Sequence, residues 1–201
     1  MNLPAKRVAV LISGRGSNLQ NLIDAQDLSY RIVLAISNVE GAGGLDKAQA
    51  AGIATTVIPH GGKTREAFDD ELDAALRAAH ADIVVLAGFM RILSDGFVRG
   101  WEGRLINIHP SLLPAYRGTR VHERVIAAKE SVSGVSVHFV VPELDAGPVI
   151  AQASVLVHPS DTPASLADRV LEVEHKLYPE ALKLLAAEKV KLEKGLAVFS
   201  G

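Results

Sequence analysis

The sequence predicts an α/β fold, with a mostly parallel twisted sheet, helices on both faces and an antiparallel C-terminal part. Short apolar runs rich in Val and Ile alternate with helical patterns, as in βαβ units that build a buried parallel sheet. Later in the chain, two apolar runs follow each other with too few residues between them for a crossover helix. The 201 residues are 48% hydrophobic and 22% charged, which is typical of an ordinary folded protein.

The first half of the chain carries the parallel part of the predicted sheet. Its apolar runs predict strands at Arg7–Ser13, Tyr30–Ser37, Thr55–Ile58, Asp82–Leu86 and Arg104–His109. Apolar residues at helical spacing predict the helices that follow them, near Asn18–Asp24, Gly44–Ala51, Thr64–Ala79 and Val121–Ala128. These units predict a Rossmann-like arrangement.

The second half departs from that alternation. Gly134–Val141 and Pro148–Val157 are joined by only six residues, so we expect the two runs to pair antiparallel. A long helix is predicted from Thr162 to about Glu188 with a kink at Pro179, and Lys191–Phe199 is expected to form a terminal hairpin. No repeat, low-complexity tract or linker interrupts the pattern, so we expect residues 1–201 to form a single domain.

Composition excludes several classes of function. The chain has no cysteine, which removes disulfides, thiolate metal sites and thiol nucleophiles. Its 21 basic and 23 acidic residues give no global positive field for nucleic acid or an anionic membrane. The longest apolar stretch, Ile83 to Met90, is far shorter than the roughly 20 residues of a membrane span, and no signal peptide is evident. We therefore expect a cytoplasmic protein without nucleic-acid or membrane partners.

A glycine-containing loop after the first strand is the first candidate site. The segment Ser13–Leu19 runs from a buried strand through a glycine turn into a helix. Free N–H groups and the helix dipole make such a corner an anion site. A dinucleotide site would require a third glycine at Leu19, so a phosphate monoester is favoured. Ser17 and Asn18 also have helix-capping side chains, which leaves a purely structural role open.

A second candidate site lies at the end of the fifth strand. Asn107 and His109 are two residues apart on a strand, so their side chains leave the same face. An amide can stabilise an oxyanion, and an imidazole can move a proton near neutral pH. Asp145 lies in a tight turn, from which it could orient His109 and raise its pKa. A structural histidine and a turn-forming aspartate are the alternatives.

Other polar residues invite separate interpretations. Glu174 falls on the apolar stripe of the long helix, where a carboxylate is costly unless it is paired. It either meets an arginine, binds a polar ligand or lies in solvent at the stripe edge. His138 is predicted to be an interior, hydrogen-bonded histidine near the site. The remaining histidines considered are predicted to be surface residues: His60, His80, His122 and His158.

Four motifs together resemble one family over nearly the whole chain. They are Ser13–Gln20, Val84–Leu93, Asn107–Pro114 and Glu143–Pro148, in that order. The chain is similar to the phosphoribosylglycinamide formyltransferases, the folate-dependent transformylases of purine synthesis. The resemblance implies transfer of a formyl group from 10-formyltetrahydrofolate, a co-substrate, to the amine of glycinamide ribonucleotide, without a metal. The expected partners are these two small molecules, and the expected assembly is a monomer or homodimer.

The resemblance also assigns roles to residues. The nucleotide phosphate would lie on Gly16, Ser17 and Asn18, with Glu174 at the ribose, and residues 1–110 would form the phosphate-binding half. Residues 111–201 would supply the folate and catalytic loop and the C-terminal helix. Asn107 would stabilise the oxyanion, His109 would be the general acid, and Asp145 would keep it charged. The implied folate site comprises Arg65, Met90, Arg91, Ile92, Leu93, Asn107, Val141, Pro142, Glu143, Leu144 and Asp145.

Two departures and three alternatives accompany this interpretation. Leu171 stands where some members have a polar substrate-facing residue, and Ala146 replaces a commoner glycine. Formyltetrahydrofolate hydrolase shares the catalytic core, but it lacks the Gly-Ser-Asn loop and usually has an extra N-terminal domain. Methionyl-tRNA formyltransferase needs a further RNA-binding domain. A phosphate-binding regulatory protein would use Gly14–Asn18 and would have no use for the catalytic trio of Asn107, His109 and Asp145.

Overall fold

The computed structural model describes residues 4–200 and contains a seven-stranded sheet of order β3-β2-β1-β4-β5-β6-β7. Its first five strands are parallel, and the last two are antiparallel. The strands are β1 Lys6–Ile12, β2 Tyr30–Ser37, β3 Ala54–Val57, β4 Ile83–Leu86, β5 Leu105–His109, β6 Val132–Phe139 and β7 Val149–Leu156. The predicted α/β class and its antiparallel C-terminal part are confirmed.

Six helices and a small hairpin complete the described part of the chain. The helices are α1 Ser17–Asp24, α2 Gly43–Ala50, α3 Arg65–Ala78, α4 Asp95–Gly100, α5 Val121–Ala127 and α6 Pro163–Ala186, and the hairpin strands are β8 Val190–Glu193 and β9 Leu196–Phe199. Prediction missed α4, whose six residues are too few to show a helical period. Its sequence signal was Ser94, which caps the helix by accepting from the Phe97 N–H. The long helix α6 continues past Pro179.

Two apolar layers cover the two faces of the sheet. Along β1, Val8, Val10 and Ile12 pack in the layer that contains α1, α2, α5 and α6. Ala9 and Leu11 point the other way and pack in the layer that contains α3 and α4. Because both faces are covered, the strand is a continuous apolar run rather than an alternating one.

The arrangement places two loops beside each other at the carboxyl edge of the sheet. From β1 the chain moves outward through β2 to β3, and it then returns to the other side of β1 to form β4 and β5. Ligands of open α/β sheets bind at such a switch point, here between the ends of β1 and β4. Helix α6 is fixed over this edge because the Tyr178 hydroxyl donates to the Leu86 carbonyl at 2.8 Å. Burial raises the pKa of Tyr178 well above its usual value, so this donor keeps its proton.

Candidate active site

The loop after β1 ends in an open helix N-terminus. Gly16 is the N-cap residue of α1 and has a φ of 69°, and no side chain caps the helix. The structural alternative, in which Ser17 or Asn18 caps it, is therefore wrong, because both residues lie inside the first turn. The first N–H groups of a helix have no intrahelical partner and form its positive end. This corner has the chemistry of an anion site.

Close backbone packing explains the glycines of this loop. A Cβ atom on Gly16 would lie 2.5 Å from the Cα of Gly44, and the positive φ would strain any other residue. The Gly44 N–H, at the start of α2, donates to the Gly14 carbonyl at 3.1 Å. The loop thus rests directly on α2, with no side chain between them.

Glu174 reaches the same corner from α6. Asn18 Nδ2 donates to Glu174 Oε2 at 2.7 Å. Burial raises the pKa of Glu174, and the hydrogen bond from Asn18 opposes that rise. The partner of Glu174 is thus an amide, rather than an arginine or bulk solvent. Asn18 Oδ1 is buried and has no partner among residues 4–200, so a ligand hydroxyl would find an acceptor there.

Two further residues beside this corner, Lys47 and His175, were missed by the sequence interpretation. Burial lowers the pKa of His175, and the nearby charge of Lys47 lowers it further. His175 Nε2 is buried and lacks a hydrogen-bond partner in the described part of the chain. Lys47 lies one turn beyond Gly44 on α2, and His175 follows Glu174 on α6. Only the packing of α2 and α6 around α1 brings them together, and no sequence spacing signals it.

Glu174→Gln is expected to raise the free energy of unfolding at pH 8 and to change it little near pH 4. The raised pKa of Glu174 means that the folded state favours the protonated form, so wild-type stability falls as pH rises from the ordinary value of 4.5 through the folded value. Glutamine stays neutral and keeps an oxygen for Asn18. Urea unfolding at both pH values measures the difference. Glu180→Gln, on the exposed side of the same helix, should have little effect at either pH, and equal gains for both variants would contradict the interpretation.

His109 and Asp145 face each other at the end of β5. His109 is 5% exposed, and its Nε2 donates to the Tyr116 carbonyl at 2.9 Å. Its Nδ1 lies 3.4 Å from Asp145 Oδ2, which also accepts from the Gly118 N–H at 2.8 Å. Asp145 has a φ of 48°, a backbone conformation that aspartate tolerates better than most residues. The turn therefore aims a nearly buried carboxylate at the imidazole.

Asn107 and His138 complete this polar group. The two residues are directly paired between β5 and β6, and Asn107 Nδ2 lies 3.3 Å from His138 Nε2. His138 Nδ1 lies 2.8 Å from the Phe139 carbonyl, which can only accept, so Nδ1 carries the proton and Nε2 accepts from Asn107. Burial lowers the pKa of His138, which favours this neutral form. The prediction of an interior, hydrogen-bonded histidine near the site is confirmed.

A buried network holds the loop that carries Tyr116. The Ser136 hydroxyl donates to the Ser111 carbonyl at 2.6 Å and accepts from the Leu113 N–H at 3.0 Å. Gln152 Nε2 donates to the Leu113 carbonyl at 2.9 Å. Strands β6 and β7 thereby fix the loop after β5, and with it the carbonyl that orients His109.

A cavity of about 830 Å³ opens beside the trio. The sequence-predicted residues in its wall are Met90, Arg91, Ile92, Leu93, Asn107, His109, Val141, Pro142, Leu144 and Asp145. Arg65 and Glu143 are not in the wall; Arg65 is an exposed residue at the start of α3, and the Glu143 side chain is exposed. Met90 is 77% exposed, so an apolar ligand would cover it.

Arg91 presents a fixed cation to this cavity. Its guanidinium lies 4.5 Å above the ring centroid of Phe68, and Nη2 donates to the Thr64 carbonyl at 3.4 Å. Its Nε is buried and has no hydrogen-bond partner within residues 4–200. A ligand carboxylate would satisfy that donor.

His122 corrects one of the surface assignments. His60, His80 and His158 are exposed as predicted, but His122 is half-buried and lies in the cavity wall. Burial lowers the pKa of His122, and the nearby His109 contributes. Helix α5 packs against α6, and the start of α5, including His122, lines the cavity. The structure adds further wall residues that the sequence did not indicate, including Gly88, Phe89, Thr119, Arg120 and Pro163.

Two further searches of the described chain give negative results. Residues 4–200 contain no group of three or more His, Asp or Glu side chains arranged to hold a metal ion. Over the same range, every helix is too short or too polar to cross a membrane.

Known proteins resemble this chain closely. Residues 6–182 match the family described as Formyl transferase. The phosphoribosylglycinamide formyltransferase of Escherichia coli K12 is 44% identical over 198 residues, which cover 96% of this chain and 93% of that protein. The crystal structure of the phosphoribosylglycinamide formyltransferase from Anaplasma phagocytophilum has a TM-score of 0.91 and 45% identity, covering 98% of this chain and 95% of that one.

Longer relatives contain the same unit. The trifunctional purine biosynthetic protein adenosine-3 of Bos taurus is 52% identical over 191 residues, which cover 92% of this chain but only 19% of that protein. The chain thus spans about a fifth of the length of this relative, whereas it matches almost the full length of the bacterial one.

Proposed function

The chain belongs to the formyl transferase family, and we propose that it transfers the formyl group of 10-formyltetrahydrofolate to the amine of glycinamide ribonucleotide in purine biosynthesis. One observation carries this proposal: an open anion site and an apolar cavity lie side by side at the switch point of the sheet, with Asn107, His109 and Asp145 in the cavity wall. A phosphorylated acceptor and a large, mostly apolar donor fit these two sites.

The nucleotide would bind at the first helix. The free backbone N–H groups in the first turn of α1, including those of Ser17 and Asn18, suit its phosphate. Asn18 Oδ1 and the Glu174 carboxylate suit the ribose hydroxyls, because both accept hydrogen bonds. Lys47 adds positive charge beside the phosphate, and the lowered pKa of His175 keeps its ring neutral there. Leu171 cannot hydrogen-bond, so one ribose contact proposed for some relatives is absent here.

The folate would lie in the cavity. We assign its pterin to the backbone of Met90–Leu93 and Val141–Asp145, two segments with residues in the cavity wall. The carboxylates of its glutamate suit Arg91, whose buried Nε lacks a partner in the described residues. Arg65 follows Thr64, whose carbonyl Arg91 contacts, so Arg65 would meet the glutamate outside the wall. Glu143 would contribute through its backbone, since its side chain is exposed.

The residues of the trio divide the chemistry of acyl transfer. The amine nitrogen of the nucleotide bonds to the formyl carbon, the carbonyl oxygen gains negative charge, and the folate nitrogen leaves after gaining a proton. Asn107 donates to that oxygen and lowers the barrier by charge stabilisation. The Nε2–H of His109 is engaged by Tyr116, so Nδ1 is the nitrogen that exchanges a proton with the reactants. The charge of Asp145, 3.4 Å from Nδ1, stabilises positive charge that develops on the ring during the reaction, and this pair relays the proton lost by the amine to the departing folate nitrogen.

The proposal is tested by measuring formate release with and without the nucleotide. Formyl transfer in its presence is expected to exceed formate release in its absence by at least about a hundredfold, or roughly 2.7 kcal/mol of transition-state stabilisation, because a bound amine reacts far faster than an unpositioned water. Tetrahydrofolate and formate are measured together. Ribose 5-phosphate, which has the phosphate but no amine, should inhibit transfer and should not stimulate formate release. Rapid formate release that the nucleotide does not change would indicate a hydrolase.

A further inference from the structure

Ser13 connects the loop after β1 to the loop after β4 across the switch point. Its hydroxyl accepts a hydrogen bond from the Met90 N–H at 2.7 Å. Its own N–H donates to the Gly88 carbonyl at 3.2 Å. Gly88 has a φ of 71°, so the chain turns sharply here, between these two hydrogen bonds. A single residue therefore holds both sides of that turn.

The orientation of the Ser13 hydroxyl is itself fixed. It donates to Asn38 Oδ1 at 2.6 Å, and Asn38 is 4% exposed. Asn38 is held in turn, since its Nδ2 lies 3.1 Å and its carbonyl oxygen 3.2 Å from His60 Nδ1. Because the hydroxyl hydrogen is donated to Asn38, the hydroxyl oxygen is oriented to accept from the Met90 N–H.

The two segments that Ser13 joins serve different ligands in the proposed reaction. Ser13 lies three residues before Gly16, where the nucleotide phosphate would bind, and Met90 begins the cavity wall that would hold the folate. Ser13 itself is in neither the first turn of α1 nor the cavity wall. The far end of the wall segment has its own anchor, because the Ser94 N–H donates to Asp69 Oδ2 at 2.6 Å.

We propose that Ser13 is a positioning residue, which sets the distance between the amine of the bound nucleotide and the formyl carbon of the bound donor. This inference rests on the proposed function. Each ligand keeps its own contacts when the Ser13 hydroxyl is removed, so affinity is retained. The relative placement of the two reacting atoms is lost, and a misplacement of about 1 Å costs on the order of a hundredfold in rate.

The experiment compares Ser13→Ala with Ser133→Ala. Ser133 is a buried serine on β6, and its hydroxyl has no hydrogen-bond partner among the described residues. We expect Ser13→Ala to lower kcat by about ten- to a hundredfold, with both KM values within about threefold of wild type and the Tm little changed. Ser133→Ala should keep kcat within about twofold. Amide hydrogen exchange at Met90 should accelerate in Ser13→Ala alone.

The outcomes separate the inference from the proposed function. If the wild-type chain transfers formyl groups and Ser13→Ala has an unchanged kcat, the inference is overturned and the function stands. Raised KM values with an unchanged kcat also overturn it, because Ser13 would then act in binding. A loss of kcat without faster exchange at Met90 would mean that Ser13 does not act through the Met90 hydrogen bond, and it would also overturn the inference. A wild-type chain that transfers no formyl group overturns both.

Discussion

Replacing His109 with alanine is expected to lower kcat for formyl transfer by about a thousandfold, since positioned acid–base groups contribute about 10²–10⁴-fold. The reaction must remove a proton from the amine and deliver one to the departing folate nitrogen, and His109 lies nearer to Asp145, at 3.4 Å, than His138 does, at 3.8 Å. The KM values should change little, because the wall segments Met90–Leu93 and Val141–Leu144 remain. Steady-state kinetics with each substrate varied in turn measures both effects.

His122→Ala is the matched control for that variant. His122 lies in the same cavity wall and is half-buried, so its removal also opens space beside the ligand. It forms no ion pair with Asp145, and we expect its loss to raise the KM for the folate and to lower kcat by less than about tenfold. If His109→Ala kept more than a tenth of the wild-type kcat, or if both variants lost activity equally, His109 would not be the acid–base group.

Much of the fold was predictable because its signals are local. Val8–Ile12 is continuously apolar, and a strand covered on both faces requires that composition. The antiparallel end of the sheet was predictable from the length of one connection, because the six residues before Pro148 are too few to form a crossover helix. Helix α4 shows the limit of this reasoning. Its six residues carry a capping serine but no period, and the packing of Phe97 and Val98 under the sheet stabilises it.

The candidate site was predictable where it depends on the strand period or on one turn. Asn107 and His109 share a face because they are two residues apart on β5. Contacts that depend on how helices pack were not predictable. The partner of Glu174 is Asn18, which is 156 positions away in the sequence, and the effect of the Lys47 charge on His175 requires α2 and α6 to flank α1.

The sequence also did not predict which side chains of a motif face the cavity. The implied folate segment Val141–Asp145 is contiguous, yet Leu144 lines the cavity and the exposed Glu143 side chain does not. Asp145, at the end of this segment, has a positive φ of 48°, which the sequence did not indicate. Motif matching names the segment, whereas the backbone conformation selects the residues.

Asp145→Asn is expected to lower kcat by about a hundred- to a thousandfold while leaving both KM values within about threefold. The substitution separates charge from shape. Asparagine tolerates the positive φ of this position and keeps an oxygen for the Gly118 N–H, so the turn is retained. What is lost is the negative charge 3.4 Å from His109 Nδ1, which stabilises positive charge that develops on the imidazole in the transition state, in a site where water screens little.

Ala146→Gly tests the competing explanation that any change in this turn impairs the reaction. Ala146 follows Asp145, and its N–H closes the turn by donating to the Glu143 carbonyl at 3.2 Å, a bond that glycine also makes. We expect kcat of this variant to remain within about twofold of wild type, because the charge beside His109 is untouched. Equal losses in the two variants would mean that Asp145 acts by shaping the loop. A large loss confined to Asp145→Asn, at unchanged KM, assigns its role to the charge, since only an interaction that strengthens in the transition state lowers kcat without altering substrate binding.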